Sequence, residues 1–466
     1  MSATDPDLVP DQPVNHPEAK APSGSSNALK VAVGLMIFGL SSFVFLGLSG
    51  RDLGPALAAP VSVAWTILNA VGIGLFMPLE QEVGRQISAA RARGALRRPP
   101  LPRVTRYAVG AVLALAVVAL VGIVPISDTF LGGSRGLVVV LVLALAAQAL
   151  EYYARGILAG TGRFRRYSTQ LAVDGGARIV LSALVFLAPA ASPVLYGAVL
   201  VASPLIATLT TIPLRELLGR GQGAAASAGA GTAERTPGTA AAADGGAPAG
   251  TAGQPLAPLV VTSVSGQLLA NAGPLAIAAI SSAAEQATTG QFVAAVTIAR
   301  IPLFLFAAVQ AVYLPSLAAH VTTGRVEDFR RSVRAGALAT AALGGAGVLG
   351  VAVLGRWAMQ LVYGPEFDIS RLDITLIALS GGLFMGAQLL VQGLLAHQVD
   401  ALVAWGWGLG IAVTVATLFL PLATTTTVAV ALCTGSAAAL LFFAAALRRT
   451  MRGWAGAPRR HSSEER

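Results

Sequence analysis

Uninterrupted apolar segments of about twenty residues recur along this chain, and they leave it one class of architecture. Each is close to the ~20 residues that a helix needs to cross a hydrocarbon layer ~30 Å thick. They run over about 29–50, 53–78, 107–127, 135–158, 169–190 and 193–214, then over about 255–280, 289–315, 335–357, 372–396, 400–421 and 426–447. The runs are continuously apolar rather than alternating, which selects helices over a membrane barrel. Composition agrees: 12% of the 466 residues are charged and 55% are hydrophobic, against roughly 25% charged in soluble domains. So little charge cannot clothe a water-facing surface of this size, and lipid must cover part of it.

Orientation follows from the basic residues. With the N-terminus inside, 26 of the 32 Lys and Arg fall in cytoplasmic segments and four (Arg51, Arg135, Arg356, Arg371) in outside loops. Two more, Arg178 and Arg300, fall within spans. That asymmetry is the positive-inside pattern, so both termini are expected in the cytoplasm of a multi-pass protein of the cell membrane. The formal charge of +10 therefore speaks for membrane loops and against a nucleic-acid partner.

The segment Arg215–Gln254, rich in Ala and Gly, reads as a flexible cytoplasmic linker spanning roughly 35 Å. It divides the chain into a disordered cytoplasmic tail (1–28), a six-helix lobe (29–214), the linker (215–254), a second six-helix lobe (255–447) and a basic cytoplasmic tail (448–466). Residues Met1–Asn27 carry Asp5, Asp7, Asp11 and Glu18, unlike the basic and then apolar start of a signal peptide. The second span of each half ends on a proline, in Phe76-Met77-Pro78-Leu79 and Tyr313-Leu314-Pro315-Ser316, with a basic segment after it. This equivalence points to a parallel repeat, a transporter plan that places a site at the membrane midplane between the repeats. The expected fold class is an all-α polytopic membrane protein, about 12 transmembrane helices in two six-helix lobes around a central cavity.

Polar residues inside the spans are the candidates for function. Arg300 lies about eleven residues into the eighth span, roughly 16 Å deep. A central charge there costs about 2.5–3.5 kcal/mol on translocon scales. It reads either as an anion-binding cation, its fork suited to phosphate, or as a structural cation on a carboxylate or backbone carbonyls. Pro302 beside it, with Pro78 and Pro315, marks candidate hinges. Asp174 and Arg178 are four apart and can pair on one helix face, as a neutralised structural pair or as a cavity-lining, proton-coupled one. Asn271 and Gln310 complete the candidate substrate-binding set, with interhelical bonding the alternative for each. Glu80, Glu82 and Arg85 mark the inner end of the second span, as a cytoplasmic gate closed by an arginine from a neighbouring loop or as a solvated helix end. Glu151 reads as a side chain reaching the membrane interface.

The lone Cys433 and four scattered histidines give no metal-ligand spacing, so neither metal nor cofactor is expected. Neither a P-loop nor a nucleophilic or paired-carboxylate constellation is present, which argues against an enzyme and against ATP-driven transport by this chain alone.

Three stretches carry a family resemblance: GLFMPLEQEVGRQISAARARG (74–94), ARIPLFLFAAVQAVYLPSLAAHVTTGRVEDFRR (299–331) and LVYGPEFDISRLDITLIALSGGLFM (361–385). On these the chain resembles the polysaccharide exporter/flippase family of the multidrug/oligosaccharidyl-lipid/polysaccharide (MOP) superfamily. The resemblance implies two lobes that alternate between inward-open and outward-open forms. It also implies a bacterial flippase moving a polyprenyl-diphosphate-linked oligosaccharide to the outer leaflet, with Arg300 against the pyrophosphate. Membrane lipids, and glycosyltransferases or a polymerase of the same pathway, are the implied partners. Three alternatives stand beside it. One is a major facilitator permease, on the weak acidic-x-Gly-Arg likeness of Glu82-Val83-Gly84-Arg85. The others are a cation-coupled multidrug exporter and a scaffold of a cell-wall synthesis complex.

Overall fold

The computed structural model describes residues 24–94, 101–217 and 256–456, which form helices with no strand among them. The linker, apart from its first residues, and most of both tails lie outside the described residues. Within them, helix already begins at Gly24 and continues to Gly456, past both expected tail boundaries.

The first helical run, Gly24–Ile67, cannot be one rod. The apolar stretch Val31–Ala92 has 62 residues, which at 1.5 Å per residue would reach roughly 93 Å, about three hydrocarbon thicknesses. The chain turns at Gly54, where φ is 69° and ψ is 171°, a backbone that only glycine adopts without strain. Pro55 follows and disfavours helical geometry at the residue before it. The run is therefore two passes, α1 (residues 24–53) and α2 (residues 55–92). α2 is not uniform: Leu68–Ile73 is a π-helical segment, and Pro78 lies five residues beyond it.

The remaining passes are α3 (Pro102–Val121), α4 (Arg135–Gly160), α5 (Phe164–Phe186), α6 (Pro193–Thr211), α9 (Val326–Tyr363), α10 (Arg371–Ala396), α11 (Asp400–Thr417) and α12 (Thr424–Gly456). Two passes are interrupted. α7 comprises Leu256–Ala270 and Ala272–Ile280, bent by 62°. α8 comprises Gln286–Ala299 and Ile301–Thr322, broken at Arg300 just before Pro302, whose ring removes one backbone donor. Together these make the twelve passes that the apolar segments predict.

Helix pairing repeats between the halves. In the first, α1 packs on α5, α2 on α4, α3 on α4, and α6 on both α4 and α5. Six helices later the same pairs recur as α7 on α11, α8 on α10, α9 on α10, and α12 on both α10 and α11. Each set is one lobe, and the two lobes meet along two seams, the α1–α2 run against α8 and α2 against α7.

The lobes are joined at the end where α1 turns into α2. Arg51, at the end of α1, donates through Nε to the Val362 carbonyl at 2.8 Å and through a second nitrogen to the Leu361 carbonyl. A Cβ on Gly50 would lie 2.6 Å from the Tyr363 ring and 3.2 Å from Phe367, and Gly290 abuts the Pro55 carbonyl. These glycines are small because two backbones must meet there.

Candidate functional site

The amino-terminal lobe contains a buried ladder of charge. On α5, Tyr167, Gln170, Asp174 and Arg178 recur at three- and four-residue spacing, so they share one face. That face meets Glu151 and Arg155 on α4, Glu80 on α2, and Thr208 on α6. Arg155 holds its Nε 3.4 Å from Glu80 Oε2 and 4.0 Å from Glu151 Oε1, one turn away on its own helix. Its guanidinium lies over the Tyr152 ring, 3.9 Å from the centroid. Tyr167 donates its hydroxyl proton to Glu80 Oε1 at 2.8 Å. Gln170 donates to the Glu151 carbonyl at 3.5 Å and to Thr208 Oγ1 at 3.2 Å.

Further along α5, Arg178 donates to Asp174 Oδ2 at 2.9 Å and to Ser41 Oγ of α1 at 3.3 Å. The same guanidinium stacks near Phe38 and Trp65, 4.9 and 5.0 Å from the ring centroids. Asp174 and Arg178 are thus the close pair that their spacing predicts, enclosed within the lobe. Three carboxylates (Glu80, Glu151, Asp174) face two guanidiniums (Arg155, Arg178). One carboxylate is in excess, and Glu151 Oε1 and Asp174 Oδ1 are buried with no hydrogen-bond donor.

Two expectations are corrected here. Glu151 does not reach the interface; it is buried at 2% exposure, because Arg155 and the face of α5 surround it. Nor does Glu82 take an arginine from a neighbouring loop. Its carboxylate accepts from Arg85 of the same helix at 2.7 and 2.6 Å, and from Gln86 at 2.7 Å. Glu80 is turned into the lobe rather than toward water. Sequence reasoning also placed Arg155 in a cytoplasmic loop, whereas its side chain is 6% exposed at the centre of the cluster. The polar stripe on α5 and the Glu151–Arg155 spacing were the available signals for these residues.

The carboxy-terminal lobe holds the other candidate, and its geometry is different. Arg300 sits at the break of α8 and reaches the break of α7. It donates to the backbone carbonyl of Ala270 and, at 3.2 Å, to Asn271 Oδ1. Asn271 in turn donates to the Gln267 carbonyl at 2.9 Å. A cation on the last carbonyls of Leu256–Ala270 is favourable, because those groups lack helical partners and carry the negative end of the helix dipole. Arg300 is half-buried and, among the described residues, has no carboxylate within 4 Å. It borders a recess of about 40 Å³ between α7, α8, α10 and α12.

A larger cavity, about 490 Å³, lies between the lobes, walled by α2, α3 and α4 on one side and by α7 and α11 on the other. Its lining is aliphatic and aromatic apart from Thr414, whose hydroxyl donates to the Gly410 carbonyl at 2.9 Å. On α7 it is lined by Leu268, Ala272, Leu275, Ala276 and Ala279, whereas the Arg300 recess touches Leu269, Ala270, Gly273 and Pro274. The two openings are thus on different faces of α7. The predicted substrate-binding residues consequently do not converge on one cavity: Asp174 and Arg178 lie inside one lobe, Arg300 and Asn271 inside the other. Gln310 is half-buried in the inner stretch of α8.

Two of the three prolines fall at or near irregular backbone. Pro302 opens the second piece of α8, and Pro78 follows the π segment of α2. Pro315 lies within the continuous helix Ile301–Thr322, its side chain outside those described. Among the described residues no group of three or more His, Cys, Asp or Glu is placed to hold a metal ion.

No protein-family model and no curated protein sequence matches this chain. Solved structures do match in fold. An inward-facing multidrug resistance MATE family transporter of the MOP superfamily is 13% identical with a TM-score of 0.63, over 92% of this chain and 99% of its own. An outward-facing MATE transporter is 12% identical, TM-score 0.58, over 93% and 96% of the two chains. A Vibrio cholerae MATE transporter is 14% identical, TM-score 0.58, over 92% and 98%. The fold is that of the MATE transporters, twelve helices in two lobes.

Proposed function

We propose that this chain is an alternating-access transporter of the bacterial cell membrane that carries a lipid-linked oligosaccharide of the polyprenyl-diphosphate type from the inner to the outer leaflet. One observation carries the substrate class. Of the three arginines placed among the spans, Arg155 and Arg178 each face carboxylates, and Arg300 faces none among the described residues. An uncompensated cation at that depth is expensive, and a diphosphate is the partner that its remaining donors fit. With the outer ends joined through Arg51, the lobes rest closed to the outside, the state in which a substrate would load from the cytoplasmic leaflet. Both termini lie in the cytoplasm in this reading, and sugar-transferring enzymes of the same pathway supply the substrate.

The excess carboxylate of the amino-terminal lobe supports proton coupling. Protonation of one member balances the two arginines, and the cost of burying the unbalanced charge would differ between lobe arrangements.

A second reading, export of lipophilic drugs, is favoured by the interlobe cavity, apolar but for Thr414, and by the multidrug transporters that share the fold. The two readings separate on Arg300. In proteoliposomes, Arg300→Gln is expected to abolish movement of a fluorescent polyprenyl-diphosphate sugar and to leave lipophilic-cation export intact. Arg300→Lys keeps the charge and retains part of the sugar-lipid activity. Undiminished sugar-lipid movement in Arg300→Gln would refute the assignment.

A further inference from the structure

We infer that the interlobe cavity is a binding site for the hydrocarbon chain of an outer-leaflet phospholipid, which completes the seal along one of the two seams. This site is distinct from the head-group site proposed around Arg300, and it rests on the first of the two readings above, since drug export would place the drug in this cavity.

Depth is the first argument. The cavity is walled by the outer third of α3, the first turns of α4, the last turns of α7 and of α11, and the short helix Ile123–Phe130 that joins α3 to α4, with Ile67 and Val71 of α2 closing it toward mid-span. All but the α2 wall are ends on the side where Arg51 and Gly54 also lie. A chain entering here comes from the outer leaflet.

Chemistry is the second. With the Thr414 hydroxyl engaged by Gly410, the walls offer no free polar group to a head group or a string of waters. Apolar cavities of this kind do not hold water, and an empty one forfeits the dispersion contacts of its whole lining. At hydrocarbon depth the abundant filler is an acyl chain. The wall is also continuous with the lipid-facing surface, since lining residues Val118 and Val415 are 61% and 49% exposed.

The third argument is the internal repeat. The seam formed by α1, α8 and α9 corresponds to the one formed by α7, α2 and α3. On the first, the protein fills the space itself, with Tyr363 at the end of α9 and Phe367 just after it packed against Gly50 of α1, and Val362 against Gly47. On the second, the corresponding place near the end of α3 holds the 490 Å³ cavity. An acyl chain there stands in for the aromatic side chains of the other seam.

The test is photocrosslinking of the full chain in nanodiscs containing a phospholipid with a diazirine near the end of one acyl chain. Adducts on α3, α7 and α11 lining peptides are expected to exceed, several-fold, those on the open face of α9 around Leu349 and Val353. Ala272→Phe and Ala276→Phe, which fill the cavity from two positions, should each remove the excess while α9 labelling stays constant and reports a folded protein. Equal labelling of the lining and of α9 in the wild type would overturn the site, as would excess labelling that survives both filled variants. Capture of a diazirine polyprenyl phosphate in preference to the phospholipid would overturn the assignment to a membrane lipid.

Discussion

The Arg155 guanidinium lies 3.4 Å from the Glu80 carboxylate and so ties α4 to α2 across the middle of the amino-terminal lobe. Glu80, Glu151 and Tyr167 all converge on this one cation, and among the described residues neither carboxylate has another cation as near. Removing one member of a buried pair typically costs about 3–5 kcal/mol, because the remaining charge is stranded. Arg155→Met is therefore expected to lower the thermal unfolding midpoint of the detergent-solubilised protein markedly. Arg155→Lys should lose less, keeping the charge but not the fork. A midpoint unchanged in Arg155→Met would show that the cluster bears little of the lobe's stability.

The same contact depends on two glycines. A Cβ at Gly156 would lie 2.7 Å from the Glu80 carbonyl, and one at Gly160 would lie 2.8 Å from the Gly84 carbonyl. Backbone cannot yield as a side-chain tip can, so Gly156→Val should push α2 away from α4 and open the Glu80–Arg155 pair. A cysteine pair reporting the α2–α4 distance should read an increase, while Gly176→Val on α5, where a Cβ meets nothing within 4 Å, serves as the tolerated control.

Much of the fold was legible because its cause is local. Apolar length fixes the number of passes. The Asp174–Arg178 pair follows from helical spacing alone. The positions that escaped sequence reading depend on tertiary partners. Arg155 looks like one more cytoplasmic arginine until α5 supplies the polar face that holds it inside. The break of α7 at Asn271 lies one turn before Pro274, which has no N–H to offer the Ala270 carbonyl, and the cation that takes up that freed acceptor, Arg300, is thirty residues away. A mid-membrane arginine could be recognised as unusual, but not that its donors would be turned toward Ala270 and Asn271, behind α7 and away from the larger cavity.

Closure at the Arg51 end of the lobes rests on small residues. Gly47 and Gly50 admit Val362, Tyr363 and Phe367, with a Cβ on Gly47 only 2.9 Å from Val362 Cγ1. Gly50→Val should therefore disfavour the joined arrangement and shift the lobes outward-open. Distance measurements between spin labels at the outer ends of α1 and α9 should lengthen and broaden. Unchanged distances would mean that the seam accommodates a larger residue and does not govern closure.

The loop after α9 carries a pH prediction. Asp368 accepts two hydrogen bonds from Arg356, at 2.7 and 2.6 Å, and these hold its carboxyl below the usual range. A carboxyl depressed in the folded state contributes stability above its unfolded pKa of about 3.9 and loses it as pH falls through the lower folded value. Acidifying the outside from neutrality to about that pKa should leave the loop as protected as before, with protection falling only in more acid solution. Hydrogen exchange of residues 364–370 reads this directly, and Asp368→Asn should abolish the step. Both groups are about half exposed, so the effect is small and screened by salt.

Glu151 provides the sharpest test of coupling. Its Oε1 is buried without a hydrogen-bond donor, and the contact from Gln170 goes to its backbone carbonyl rather than to the carboxylate. Glu151→Gln therefore keeps the volume and that backbone bond while leaving two carboxylates against two guanidiniums. If the excess negative charge is what a proton neutralises during the cycle, the variant should fold normally and lose the dependence of transport on an imposed pH gradient. Linkage demands this, since a group that no longer titrates cannot couple proton binding to the lobe equilibrium. Glu82→Gln, whose carboxylate is already matched by Arg85 of its own helix, should keep the wild-type gradient dependence. A gradient dependence that survives in Glu151→Gln would move the coupling group away from this position and leave Glu80 and Asp174 to be replaced in turn.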